Sequence, residues 1–190
     1  MNDEALKVEK KIISFQGRIH LITSDQELSD VAEVICSAST LGFDTETRPS
    51  FRKGQVYKVA LLQLSTDQDA YLIRLHGITQ FRHILPIFEN DKIIKAGVAI
   101  RDDLRLLQKL FHFEPRKFVE LQNLAKTKGL KNFGLKGMTE EVLQATISKG
   151  PKMTNWEAPV LTDRQLLYAA TDAWIGLKLY QKLTESVSHR

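Results

Sequence analysis

The chain has 190 residues, 43% of them hydrophobic and 26% charged, with a formal net charge of +4 and one cysteine, Cys36. This composition excludes an internal disulfide framework, and no apolar run approaches the ~18 residues needed to span a bilayer. It predicts a soluble, cytoplasmic globular protein with no membrane partner, and its slight cationic excess suits a polyanionic one.

The first 18 residues carry charges without periodicity and are expected to form a tail or irregular lead-in. Residues 19–190 are expected to form one domain. The polar, acidic N-terminus does not read as a signal peptide. Ile19 to Ile22 suits a short strand. Ser24-Asp25-Gln26-Glu27 then reads as a capping box, opening a helix with Val31, Val34, Ile35 and Ala38 on one face. Leu41 to Glu46 is a predicted strand, and Arg48 to Lys58 a polar loop holding Pro49 and Gly54. Val59 to Leu64 and Ala70 to Ile73 follow as strands, and their short links predict an antiparallel meander. Ile78 to Phe88 is a predicted helix that Pro86 breaks or kinks. Lys92 to Ala96 is a strand, Ile100 to Phe111 an amphipathic helix and Phe118 to Leu121 another strand. Two or three helices fill the rest. The last begins at the capping box Thr162-Asp163-Arg164-Gln165 and runs to about Thr184. The fold class is therefore α/β, a mixed sheet with helices on both faces.

Asp44 and Glu46 lie two apart on an apolar strand, so both carboxylates point to one face. Close carboxylates in an apolar setting repel, and a divalent cation removes that cost. A solvated strand end paired with Arg48 is the alternative. On the last helix Tyr168 and Asp172 are spaced i, i+4 and share a face, among the small residues Ala169, Ala170, Thr171 and Ala173. In the helix from Ile100, the residues Ile100, Leu104, Leu107 and Phe111 form one stripe at ~100° per residue. Asp103 lies about 60° from that stripe and Asp102 nearly opposite it, so Asp103 is expected at the edge of the core and Asp102 in water.

These segments resemble the three motifs of the DEDDy exonucleases, within the ribonuclease H-like superfamily. Phe43-Asp44-Thr45-Glu46 resembles the first motif. Lys95-Ala96-Gly97-Val98-Ala99-Ile100-Arg101-Asp102-Asp103 resembles the second, and Tyr168-Ala169-Ala170-Thr171-Asp172-Ala173 the third. The resemblance extends to Lys58-Val59-Ala60-Leu61-Leu62-Gln63-Leu64 and to Asn155-Trp156, and covers roughly residues 19 to 185. Within the class it is nearer to Werner-type exonuclease domains than to ribonuclease D, whose members often carry a histidine near the position of Lys95 or Gly97.

The resemblance implies a ribonuclease H-like fold and a 3′-5′ exonuclease that uses two divalent ions, Mg²⁺ or Mn²⁺, and releases 5′-mononucleotides. It implies that Asp44 bridges the ions, that Glu46 and Asp172 complete one site and that Asp103 holds the second ion through water. Tyr168 would orient the attacking water, since a phenol with a pKa near 10 is a poor base. The expected partner is a nucleic acid 3′ end, single-stranded or recessed, with DNA favoured over RNA. The alternatives are a ribonuclease D-like exoribonuclease, an endonuclease of ribonuclease H type, and a non-catalytic nucleic-acid-binding module. No phosphate-binding G-x-x-x-x-G-K-[ST] loop is present, so no nucleotide cofactor is expected. The histidines at 20, 76, 83, 112 and 189 lack ligand spacing.

Basic residues fall into three runs: Arg48, Arg52, Lys53 and Lys58; Lys126, Lys128, Lys131 and Lys136; Lys149 and Lys152. Thr45, Arg52, Lys53, Lys149 and Lys152 are the expected substrate contacts. Trp156 is assigned with them as a base-stacking residue, against the alternative of core packing. Phe133 and Met138 are candidates for the wall of the terminal nucleotide, or for the core.

Overall fold

A computed structural model describes residues 10–150 and 154–185. Its elements in chain order are β1 (Ile12–Ile13), β2 (Arg18–Ile22), α1 (Asp25–Cys36), β3 (Thr40–Thr47), β4 (Val59–Ser65), β5 (Asp69–Arg74), α2 (Leu85–Phe88), β6 (Ile94–Gly97), α3 (Ile100–Gln108), β7 (Phe118–Glu120), α4 (Leu121–Thr127), α5 (Leu135–Val142), β8 (Thr146–Ile147) and α6 (Asp163–Thr184). The main sheet has six strands in the order β2-β5-β4-β3-β6-β7. The expected meander is there: β3 pairs antiparallel with β4, and β4 with β5. Parallel pairs flank it, β2 on β5 at one side and β3-β6-β7 at the other.

Every residue of β4 is buried, which its near-continuous apolar run demands, because helices cover both faces of the sheet. On one face Leu41, Phe43, Leu62, Leu64 and Ile73 pack with Leu28 and Ile35 of α1, Ile87 and Phe88 of α2, and Ile100 and Leu107 of α3. On the other, Leu61, Ala70 and Leu72 meet Ala169 and Ala170 of α6. Ala96 packs there with Leu121 and Ala125 of α4, Met138 of α5 and Ile175 of α6. Helix α6 lies unusually close to the sheet. A Cβ on Gly42 of β3 would stand 1.8 Å from the Ala173 carbonyl oxygen, so glycine is required for this approach.

Three expectations are corrected here. Residues 10–18 are not an irregular lead-in. Ile12–Ile13 pairs in parallel with Thr146–Ile147, and Phe15 is buried with its N–H donated to the Thr171 hydroxyl. Residues 1–9 of the expected lead-in lie outside the described residues. On α1 the expected face holds for Ile35, Val31 and Ala38, which reach the core, but Val34 is 58% exposed and Leu28 and Ala32 are buried instead. The stretch 78–88 is not one helix: a 3₁₀ turn at Phe81–His83 and the single-turn α2 replace it. Pro86 sits in the first turn of α2, where its missing N–H costs nothing.

Both capping motifs form, one of them shifted. Thr162 and Gln165 satisfy each other's backbone groups reciprocally. The Ser24 side chain accepts from the Glu27 N–H, but the Glu27 carboxylate accepts from the N–H and hydroxyl of Thr23 rather than from Ser24.

Candidate active site

The first two acids are placed by strand alternation. Asp44 and Glu46 project from β3 toward α6, the face on which Gly42 meets Ala173. The register of β3 on β4 shifts between Glu46 and Thr47. Such a bulge re-aims side chains where a strand leaves its sheet. Asp172, buried on α6, completes a cluster in which one carboxylate oxygen from each of Asp44, Glu46 and Asp172 lies within 4.8 Å of the others.

These charges weigh on one another. Burial, then the charges of Asp172, Glu46 and Asp103, hold the Asp44 carboxyl well above the usual carboxylate range. Tyr168, one helical turn before Asp172, is pushed up by burial, by the neighbouring carboxylates and by a hydrogen bond to Asp172. It stands in its protonated form at neutral pH. Three carboxylates without histidine or cysteine form a hard oxygen donor set, which fits Mg²⁺ or Mn²⁺.

Asp103 arrives from the opposite side of the sheet. Helix phase places it as expected: Asp102 is 85% exposed and pairs loosely with Arg105 at 3.4 Å, while Asp103 accepts from the Thr45 hydroxyl at 2.6 Å. Burial raises the Asp103 carboxyl to about 6. Asp103 is not one of the three clustered acids, although its charge reaches Asp44. Its helix is fixed by Glu120, whose carboxylate accepts from the Ala99 and Ile100 N–H groups, each at 2.9 Å. The same carboxylate accepts from the Gln122 N–H and so caps α4 as well. Ala99 has φ 58°, a left-handed conformation that costs a non-glycine residue free energy and that these two bonds hold in place. Sequence alone does not mark Glu120, because the Ala99 and Ile100 N–H groups that it holds lie about twenty residues away.

A cleft of about 620 Å³ opens over the acids. Its walls include Asp44, Thr45, Glu46, Tyr168 and Asp172, together with Gln122, the start of α5 at Gly134–Gly137, and Ser148–Gly150. Gly150 lies hard against the tyrosine. A Cβ there would stand 1.6 Å from the Tyr168 ring.

The expected substrate contacts divide. Thr45 lines the cleft, with its hydroxyl committed to Asp103. Lys149 lines it with an exposed side chain, and so does Lys136. Arg52 and Lys53 are exposed on the loop after β3, outside the cleft walls. Lys152 lies outside the described residues.

Trp156 is corrected. It is 0% exposed, sits in the core with Phe15, Ala169 and Ala170, and packs against Tyr168 with ring centroids 6.1 Å apart. No base reaches it. Its face is covered because Arg74 donates to the carbonyls of Ala158 and Pro159 and draws that loop onto the sheet. Met138 is buried core, and Phe133 packs against the same cluster, beneath Lys126.

Residues 19–188 match the profile of the 3′-5′ exonuclease family. The chain belongs to that family. Among its relatives is the bifunctional 3′-5′ exonuclease/ATP-dependent helicase WRN of Mus musculus, 36% identical over 160 residues, a match covering 81% of this chain and 11% of that protein. Ribonuclease D of Haemophilus influenzae is 30% identical over 171 residues, covering 88% of this chain and 42% of the relative. The crystal structure of Escherichia coli RNase D superposes with a TM-score of 0.77 at 30% identity, covering 87% of this chain and 44% of that one. This member of the family thus spans about a tenth of one relative and under half of the others. Its mixed sheet is the ribonuclease H-like fold that these exonucleases share. Among the described residues, no helix is long and apolar enough to cross a membrane.

Proposed function

We propose that residues 19–190 act as one 3′-5′ exonuclease domain that removes 5′-mononucleotides from nucleic acid 3′ ends, single-stranded or recessed, with DNA favoured over RNA. The observation that carries this reading is the convergence of Asp44, Glu46 and Asp172 within 4.8 Å, beside Tyr168, under an open cleft. Asp44, Glu46 and Asp172, with Asp103 nearby, would hold the divalent cations. When bound, Mg²⁺ or Mn²⁺ acidifies the attacking water and offsets charge on the phosphate.

The chain's own residues bind and orient. The Tyr168 hydroxyl, protonated and anchored at Asp172, holds the attacking water in line with the terminal phosphorus. Water oxygen bonds to phosphorus as the bond from phosphorus to the 3′ oxygen breaks; the water gives a proton to solvent and the 3′ oxygen takes one up. The shortened strand keeps a 3′-hydroxyl and the departing nucleotide keeps its 5′-phosphate. Lys149 and Lys136 at the cleft, Arg52 and Lys53 on the loop, and Lys152 supply phosphate contacts to the strand.

The test is digestion of 5′-labelled DNA and RNA strands, single-stranded and 3′-recessed, with Mg²⁺ or Mn²⁺. Stepwise shortening from the 3′ end, lost in Asp44→Asn, is the expected result. Internal cuts would point to an endonuclease. A second reading, an exoribonuclease, is favoured by the matches to ribonuclease D, and faster decay of the RNA strands would select it.

A further inference from the structure

The loop between β3 and β4 leaves the sheet after Thr47, one residue beyond Glu46, and returns at Val59. Its stems are tied together. The Arg48 guanidinium lies 5.2 Å from the centre of the Tyr57 ring, and it pairs with Glu157 at 3.6 Å. Its tip is a closed turn. The Arg52 carbonyl accepts from the Ser50 hydroxyl at 3.1 Å and from the Gln55 N–H at 3.2 Å, with Gly54 at φ 83°.

That turn holds Phe51 out in water. Phe51 is 81% exposed, and Val56 on the same loop is 68% exposed. Arg52 and Lys53, the next two residues in the chain, are exposed as well. An unburied phenyl group has an unfavourable interaction with water that a partner relieves. An apolar protein partner would gain nothing from cations next to this exposed ring. A polynucleotide satisfies both features, because each base offers a face to the ring and each phosphate a charge to the cations.

We propose that the Arg48–Lys58 loop is a stacking platform for an unpaired strand, with Phe51 as the base-stacking residue and Arg52 and Lys53 on the flanking phosphates. The inference rests on the exonuclease reading and narrows its substrate to strands whose bases near the 3′ end are free. Phe51 lies five residues beyond Glu46, so it stands at most about 18 Å from it along the chain. A stacked strand advances ~3.4 Å per nucleotide, so the platform meets the strand no more than about five nucleotides from the scissile bond.

The test compares the parent with Phe51→Ala and Phe51→Trp, using a single-stranded decanucleotide, a dinucleotide and a blunt duplex. Phe51→Ala should raise KM for the decanucleotide roughly fivefold to a hundredfold. It should leave kcat, the melting temperature and the KM for the dinucleotide and blunt duplex unchanged. In Phe51→Trp, the added indole fluorescence above that of the parent should be quenched by the decanucleotide in EDTA, where no hydrolysis intervenes. An unchanged KM for the decanucleotide, an equal rise for the dinucleotide, or an indole signal indifferent to the strand would each overturn the platform. Absence of turnover by the parent on all three substrates would instead overturn the exonuclease reading, and the fluorescence would still decide the platform.

Discussion

The Thr45 hydroxyl donates to the Asp103 carboxylate at 2.6 Å, so a side chain from β3 meets one from α3 across the sheet from the acid cluster. Thr45 stands between Asp44 and Glu46, and alternation sends it to the opposite face. One strand thus aims two acids into the cleft and fastens the helix that carries Asp103, the acid of the second motif.

This contact predicts graded damage. Asp103→Asn should lower kcat about a hundredfold or more, in the range typical of a group acting on the reacting centre. Thr45→Val keeps the shape but not the donor, and should lower kcat by about tenfold through looser placement of Asp103. Asp102→Asn should change neither kcat nor KM. Steady-state kinetics on one labelled strand checks the order. An Asp102→Asn protein that is crippled while Asp103→Asn is active would mean that α3 is read one residue out of phase.

The clustered acids predict a pH-dependent stability in metal-free protein. Asp44 and Asp103 are both held above their ordinary values, Asp103 at about 6. A raised carboxyl favours the fold in its protonated form. Its contribution is fully present below the ordinary value of 3.8 and is lost as pH rises through the folded value, for Asp103 by about 6. Melting in EDTA should therefore show Asp44→Asn stabilised relative to the parent at pH 7, with the gap closing toward pH 4. Mn²⁺ should raise the parent's melting temperature at pH 7 and leave that of Asp44→Asn almost unmoved. A gap that widens on acidification has the wrong sign for this account.

Tyr168 is predicted to act on the chemical step. Tyr168→Phe should lower kcat by ~10²–10⁴-fold with little change in KM. Gly150→Ala should do the same more weakly, because its methyl group would drive into the tyrosine ring. The double mutant should be no worse than Tyr168→Phe alone, since both act through one hydroxyl. Additive losses would show that Gly150 acts elsewhere.

Gln63 carries a stability prediction. It faces Asp44 across the β3–β4 ladder, is 0% exposed, and neither end of its amide has a partner among the described residues. A buried amide in that state costs about 1–3 kcal/mol. Gln63→Leu, close in size and apolar, should raise the metal-free melting temperature. A clear fall would mean that the amide is satisfied in solution.

The residues that sequence placed well are those fixed by local geometry. Asp44 and Glu46 share a face by strand alternation, Asp103 and Asp102 separate by helix phase, and Thr162 caps α6 with Gln165. What sequence missed depends on contacts from far along the chain. Trp156 sits among polar neighbours, and nothing local shows that Arg74 pulls its loop into the core. Val34 belongs to a helix whose buried stripe is set by Leu28 and Ile35, and apolar spacing alone does not separate it from its inward neighbours. Ile78 to Phe88 has helical composition, yet the stretch docks as separate short turns, with Phe81 stacked on Phe111 at 4.4 Å. Glu120 is one carboxylate among many until the fold brings it under Ala99 and Ile100.

The central claim is that Asp44 joins the acids that hold the cations needed to cut from the 3′ end. The most direct measurement is a time course on a 5′-labelled strand, with a 3′-hydroxyl or a 3′-phosphate, using parent and Asp44→Asn protein dialysed against EDTA and then given Mn²⁺. The account predicts a ladder of single-nucleotide steps from the 3′-hydroxyl strand, slowed or blocked by the 3′-phosphate, and no ladder from a folded Asp44→Asn. A folded Asp44→Asn that still produces the ladder, or a parent that shortens the blocked strand from its 5′ end, would contradict it.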